Sequence, residues 1–96
     1  MPAYLIVEVE THDPQLMAEY RALNTPIVAD YGGVFLVRGG DVVTLEGDWQ
    51  PERLVIIEFP TMEQAKAWWS CDEYAEPKAM RQRAGRTQMI LAEGVG

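Results

Sequence analysis

The sequence is short of the residues that most often carry covalent or metal-assisted chemistry. It contains one cysteine, Cys71, and one histidine, His12, in 96 residues. A single cysteine cannot form an internal disulfide, and neither residue belongs to a cluster with the spacing of metal ligands. We therefore expect no disulfide framework and no bound metal, so folding has to rest on packing alone.

Basic residues and long apolar runs are also scarce. Eight Lys and Arg residues face fifteen Asp and Glu residues, for a formal net charge of -7, which argues against a nucleic-acid partner. The closest group of basic residues is Lys78, Arg81, Arg83 and Arg86. This group falls near the end of a predicted helix, and we expect it to be a solvated helix end. The first apolar run stops at Glu8, so neither a signal peptide nor a membrane span is predicted, and a cytoplasmic protein is expected.

The first half of the chain carries clear strand and helix signals. Residues 3–11 alternate between the two faces of a strand, and Asp13 with the proline after it is a helix start. Apolar residues then recur at three- or four-residue steps over residues 16–31, as in an amphipathic helix. Pro26 is predicted to kink or restart this helix, and a glycine pair ends it.

The second half predicts a β-hairpin, a helical region and a last strand. Residues 34–38 and 41–46 are strand-like, and residues 53–59 form the clearest strand after a turn-rich loop. Thr61 with Gln64 is a capping-box pattern that opens a helix. A further helical piece is predicted to run from Ser70 to Ala84, and a final strand follows.

This order of elements indicates one α+β domain over residues 1–96. Strand, helix, strand, strand, helix, strand is the βαββαβ pattern of the ferredoxin-like fold, with an antiparallel sheet and the helices on one face. Gly39 and Gly40 fit either a tight hairpin turn or a bulge that bends one long edge strand, and we favour the bulge.

Two strands are apolar on both faces, which predicts a partner. These are the strands at residues 3–11 and 53–59. Side chains alternate between the two faces of a strand, yet in both strands the side chains on either face are mostly apolar. Helices can cover one face of a small sheet, and a face in contact with water would be polar. We therefore expect a second copy of the chain to cover the other face, as an isologous homodimer.

Two carboxylates interrupt these apolar faces. If the first and third strands lie side by side and parallel, Glu8 and Glu58 fall on the same face near the same end of the sheet. Arg38 is the expected counter-charge. The group is either a structural ion pair or a ligand-contact site, because buried charges occur in both settings.

Three segments carry a resemblance to a known family. "YGGVFLVRGG", "LEGDW.PERLVIIEFP" and "AKAWW..DEY" resemble the signature segments of the family known as domain of unknown function 1330, which belongs to the dimeric α+β barrel superfamily. The resemblance implies a ferredoxin-like fold and a barrel-forming dimer. Cys71 and Asp72 depart from it, because the family usually has serine-proline at that point.

The wider superfamily includes cofactor-free monooxygenases, lactone isomerases and haem-degrading enzymes. These bind small aromatic or polyketide-like molecules in a cleft between sheet and helices. The resemblance therefore implies a small-molecule cleft here. A haem would need an axial ligand, and the single histidine lies in a loop beside a helix start, so we expect no haem and no other cofactor.

Two functions remain open at this stage. In the first, the protein is a cofactor-independent oxygenase or isomerase, with Glu8 or Glu58 moving a proton and Arg38 with Tyr31 holding an anionic or phenolic substrate. In the second, it is a non-catalytic, structural or stress-related dimeric binding protein.

The tryptophans complete the set of candidate residues. Trp69 fits the core stripe of its helix, and Trp68 is expected at the rim of the cleft, where it would contact a ligand. Trp49 lies in the hairpin loop, where a large aromatic side chain is expected to contact the second copy, or else to act as a lid over a pocket.

Overall fold

The computed structural model describes residues 1–95 and contains four strands and three helices. In chain order these are β1 (Ala3–Thr11), α1 (Pro14–Asp30), β2 (Val34–Arg38), β3 (Arg53–Phe59), α2 (Met62–Ser70), α3 (Asp72–Ala84) and β4 (Gly85–Glu93). The predicted strand over residues 53–59 is confirmed to the residue. The cap of α2 is also confirmed, since the Thr61 hydroxyl accepts a hydrogen bond from the Gln64 amide at 3.1 Å.

The four strands form one antiparallel sheet in the order β2-β3-β1-β4, which is the ferredoxin-like arrangement. The expectation that β1 and β3 run parallel is wrong, because they pair antiparallel. The helical crossover through α1 leaves β2 running in the same direction as β1, and the hairpin then reverses β3.

Because β1 and β3 run antiparallel, Glu8 and Glu58 are far apart. Tyr4 lies opposite Glu58, whereas Glu8 lies opposite Leu54, so the carboxylates share a face but sit at opposite ends of the β1–β3 pair. At about 3.4 Å per residue, four residues of strand separate them by roughly 14 Å along the strand direction. The prediction that they meet near one end of the sheet is therefore wrong.

The core lies between one face of the sheet and the helices. On β1 the buried side chains are Ala3, Leu5, Val7 and Val9. The helices cover them with a second set, namely Met17, Tyr20, Val28, Ala65, Trp68 and Tyr74. We call this the helix side of the sheet and the opposite surface the open face. Helix α1 continues through Pro26 without restarting, with the Thr25 hydroxyl bonded to the Arg21 carbonyl at 2.7 Å.

The hairpin differs from its prediction in two ways. Strand β2 ends at Arg38, and the segment 41–46 is an exposed loop with no strand in it. Gly39 adopts a φ of 81°, which turns the chain away from the edge of the sheet, so the glycine pair ends the strand instead of forming a bulge within it. The register between strands β2 and β3 shifts earlier in the chain, at Leu36.

Each of the two adjacent tryptophans has the environment that was expected for the other. Trp68 is 1% exposed and Trp69 is 40% exposed, so the expectation of a core Trp69 and a rim Trp68 is wrong. Trp68 packs between Phe59 and Tyr74, with ring centroids 5.8 and 4.3 Å away. The Trp69 ring instead carries the Lys78 ammonium over its outer face at 4.0 Å.

Candidate ligand-binding cleft

An enclosed space remains between the helix side of the sheet and the helices. Its volume, counted as the space that the centre of a water molecule can reach, is about 50 Å³. One water needs about 10–15 Å³ on this measure, so the space admits several waters or a small organic group. Its apolar lining comes from the sheet and from α1, and includes Leu5, Val7, Met17, Phe35, Val55 and Met89.

One wall of this cleft is a chain of buried hydrogen bonds. The Trp68 indole donates to Asn24 Oδ1 at 3.0 Å, and Asn24 Nδ2 donates to the Tyr20 hydroxyl at 3.2 Å. The hydroxyls of Tyr20 and Tyr74 lie 2.9 Å apart. Arg81 Nε then donates to the Tyr74 hydroxyl at 3.3 Å. These five side chains join α1, α2 and α3 through polar contacts inside an otherwise apolar layer.

Arg81 brings a positive charge to the buried end of this chain. It is 4% exposed, and its Nη1 donates to the hydroxyl of Thr87. Within residues 1–95, the ion pair found at 4.0 Å or less joins His12 to Glu10 on the surface, so Arg81 has no carboxylate at that distance. Burial and the neighbouring Tyr74 raise the pKa of Tyr20, which therefore stays a neutral phenol.

Three more arginines stand at the mouth of the cleft. They are Arg21 on α1, Arg38 at the end of β2 and Arg53 at the start of β3. Arg38 Nη2 donates to the Thr25 hydroxyl at 2.6 Å, and its guanidinium carbon lies 4.0 Å from the Phe35 ring centroid. Burial, with the positive charges of Arg21 and Arg38, lowers the pKa of Arg53. The guanidinium of Arg53 packs against Gly39, where a side chain would collide with it.

The predicted site residues are divided between the two faces of the sheet. Arg38 and Trp68 line the cleft on the helix side. Tyr31 follows the end of α1, and the neighbouring Cys71 side chain raises the pKa of its phenol. Tyr31 is not among the lining residues of the cleft.

The two glutamates lie on the open face, away from the cleft. The Trp49 indole donates to Glu8 Oε2 at 3.1 Å, which folds the hairpin loop onto this face. Tyr4 lies opposite Glu58 in the β1–β3 pair, and that carboxylate raises the pKa of the phenol. Arg38 projects to the other side, since it lies opposite Val55, so the expected ion pair between Arg38 and the glutamates does not form.

The sequence held a signal for the polar wall. Buried positions of α1 are Met17, Tyr20, Asn24 and Val28, so Asn24 is a polar residue within the apolar stripe, one turn after Tyr20. A polar residue at such a position has to find a buried partner, which points to a network. Arg81 was predicted to belong to a solvated helix end, and this is wrong because its side chain turns inward to Tyr74 and Thr87.

Residues 1–95 contain no group of three or more His, Cys, Asp or Glu side chains placed to hold a metal ion. None of the helices in this range combines the length and apolarity that crossing a bilayer requires.

The fold and cleft place the molecule among ferredoxin-like α+β proteins. The chain belongs to the family described as "Domain of unknown function (DUF1330)", whose model matches residues 2–95. The resemblance found in the sequence is thereby confirmed. No curated protein matches the chain.

Solved structures share the fold at low sequence identity. A protein of unknown function from Rhodopseudomonas palustris is 18% identical with a TM-score of 0.80, over 99% of this chain and 83% of the other. A dimeric ferredoxin-like protein of unknown function from Jannaschia sp. CCS1 is 14% identical with a TM-score of 0.75, over 98% and 100%. SnoaB, a cofactor-independent oxygenase from Streptomyces nogalater, is 10% identical with a TM-score of 0.71, over 99% and 94%.

Proposed function

We propose that the protein binds a small organic molecule in the cleft between the sheet and the helices, and that it does so as a homodimer. The observation that carries this proposal is the polar wall from Trp68 to Arg81 beside a cleft whose remaining lining is apolar apart from three arginines. Protein interiors are normally filled to crystal-like density. A pocket with apolar walls and a few convergent polar groups is the usual form of a small-molecule site.

Binding is better supported than acid–base catalysis. Within residues 1–95, the lining of the cleft contains no His, Asp, Glu or Cys, so no side chain in it has an ordinary pKa near neutrality. Glu8 and Glu58 would have to act on the open face instead. The enzymatic alternative, a cofactor-independent oxygenase or isomerase, draws its support from the fold that the chain shares with proteins such as SnoaB.

The homodimer is supported by the open face of the sheet. This face and its loop expose large apolar side chains, namely Val34, Leu36, Leu45, Trp49 and Ile90. Large exposed apolar surface often marks an interaction site. Structural relatives from Jannaschia and Bacteroides fragilis are described as dimeric ferredoxin-like proteins, which favours a second copy as the occupant. Trp49 then lies in the contact between the two copies, and the sheets face each other across the barrel.

Native mass spectrometry of the protein purified from its own host tests both parts. We expect a dimer, with added mass from a retained small molecule or from added phenol. Val55→Phe should abolish that added mass, because Val55 lines the cleft. Leu23→Phe is the matched control, since Leu23 is 46% exposed on α1 and lies outside the cleft lining. Equal retention by both variants would place the ligand elsewhere, and a monomer at micromolar concentration would refute the dimer.

A further inference from the structure

Arginines are concentrated around the cleft although the chain as a whole is acidic. Fifteen acidic residues outnumber eight basic ones, yet four of the six arginines line the cleft. They are Arg21, Arg38, Arg53 and Arg81. The lining residues in the described part of the chain include no carboxylate, so the wall does not neutralise these charges from within. The arginines are therefore concentrated where the proposed ligand would bind.

Strand register brings two of these cations to one end of the sheet. Val9 on β1 lies between Arg53 on β3 and Thr87 on β4. Neighbouring strands are about 4.8 Å apart, so the Cα atoms of Arg53 and Thr87 are roughly 10 Å apart across Val9. Arg81 reaches this row from α3 by donating to Thr87. The backbone positions of Arg53 and of Thr87, the residue that Arg81 contacts, therefore flank Val9 on the floor of the cleft.

The remaining two arginines complete the cluster from α1 and β2. Arg21 and Arg38 are close enough to Arg53 for their charges to lower its pKa, together with the larger effect of burial. Arginine keeps its charge in proteins, so the three positive groups repel one another. Such an arrangement costs stability in the empty protein, and an anion in the cleft would offset that cost.

We propose that the ligand is a small organic oxyanion with two negative charges, a dicarboxylate or a phosphate monoester on an apolar or aromatic body. This inference rests on the proposed function of the cleft and adds the chemistry of its ligand. Guanidinium groups bind carboxylate and phosphate oxygens in a bidentate manner. The apolar walls formed by Met17, Phe35 and Trp68 suit the body of the molecule. A ligand with a single negative charge would leave most of the four arginines without an anionic partner.

Isothermal titration of the full-length protein with a matched series of probes tests this proposal. Phthalate carries two charges, benzoate carries one and benzyl alcohol none, on the same aromatic ring. We expect affinity in the order phthalate, benzoate, benzyl alcohol, with the phthalate affinity falling as salt is added. Phenyl phosphate and inorganic phosphate in the same assay distinguish a phosphate ligand from a dicarboxylate.

Arginine variants supply the second part of the test. Arg53→Gln should raise the dissociation constant for phthalate by roughly ten- to a hundred-fold, the effect of losing a charged hydrogen-bond donor. The same change should weaken benzyl alcohol binding far less than phthalate binding, and it should keep or raise the melting temperature of the protein without ligand, because it relieves repulsion. Arg21→Gln serves the same purpose if Arg53→Gln does not fold. Arg83→Gln is the control, since Arg83 is exposed and lies outside the cleft lining.

The outcomes separate this proposal from the one on which it rests. Binding of benzyl alcohol as tight as that of phthalate would overturn the dianion and retain the cleft. A loss of phthalate affinity in Arg83→Gln equal to that in Arg53→Gln would also overturn it, because the effect would then reflect overall charge. Failure of every probe to bind would contradict both proposals.

Discussion

At the scale of single residues, two adjacent tryptophans have very different environments. Trp68 is enclosed by Phe59 and Tyr74 and is bonded to Asn24, whereas Trp69 lies on the surface. The sequence contains both as a pair of identical residues on one helix. Periodicity identified the buried face to within one position, which is not enough to distinguish neighbours on α2.

Substitution of the two tryptophans tests this assignment. Trp68→Ala should lower the free energy of unfolding by about 3–5 kcal/mol, because it leaves a cavity and removes a partner from Asn24. Trp69→Ala should cost much less, since the ring is 40% exposed and covers little of the core. Urea unfolding of both variants gives the comparison, and a larger loss in Trp69→Ala would mean that the helix is rotated from the orientation described here.

At the scale of elements, the N-terminal cap of α2 also connects this helix to its neighbour. The Thr61 hydroxyl accepts from the Gln64 amide, and the Gln64 side chain donates to the Tyr31 carbonyl at 3.2 Å. The cap thus joins α2 to the end of α1. This pattern was visible in the sequence because caps depend on residues close together in the chain.

Loss of this cap should weaken the fold by a predictable amount. Thr61→Ala is expected to lower the free energy of unfolding by about 1 kcal/mol, the usual cost of removing an N-cap side chain. Ser70→Ala is the control at the other end of the helix, where the hydroxyl bonds the Lys66 carbonyl and caps nothing. Chemical denaturation should show little change for Ser70→Ala, and equal losses in the two variants would contradict the capping role.

The helices and strands could be predicted from the sequence more fully than the contacts between them. Strand β3 was located from local pattern, and the βαββαβ order followed from the succession of such signals. The direction of β1 relative to β3 determines whether Glu8 and Glu58 meet, and the pattern of either strand alone does not reveal it. The inward turn of Arg81 likewise depends on Tyr74 and Thr87 being brought to it by the fold.

At the scale of the whole molecule, the two faces of the sheet have separate roles in the proposed function. The helix side holds the cleft, and the open face with its loop is left for the second copy. Ile90→Asp should convert the proposed dimer to a monomer, because it replaces an exposed apolar side chain of the open face with a charge. Leu23→Asp on α1 should leave the dimer intact. Sedimentation velocity distinguishes these outcomes, and an unchanged dimer in Ile90→Asp would show that the copies meet elsewhere.

The most direct test of the cleft uses the indole N–H signals of the three tryptophans as reporters in one nitrogen–proton NMR spectrum. Trp68 lies in the cleft, Trp49 on the open face and Trp69 on the outer surface, and single Trp→Phe variants assign the signals. On titration with phthalate, the Trp68 signal should shift while the Trp49 signal stays in place. A shift of Trp49 with Trp68 unmoved, or no shift at millimolar phthalate, would contradict the account.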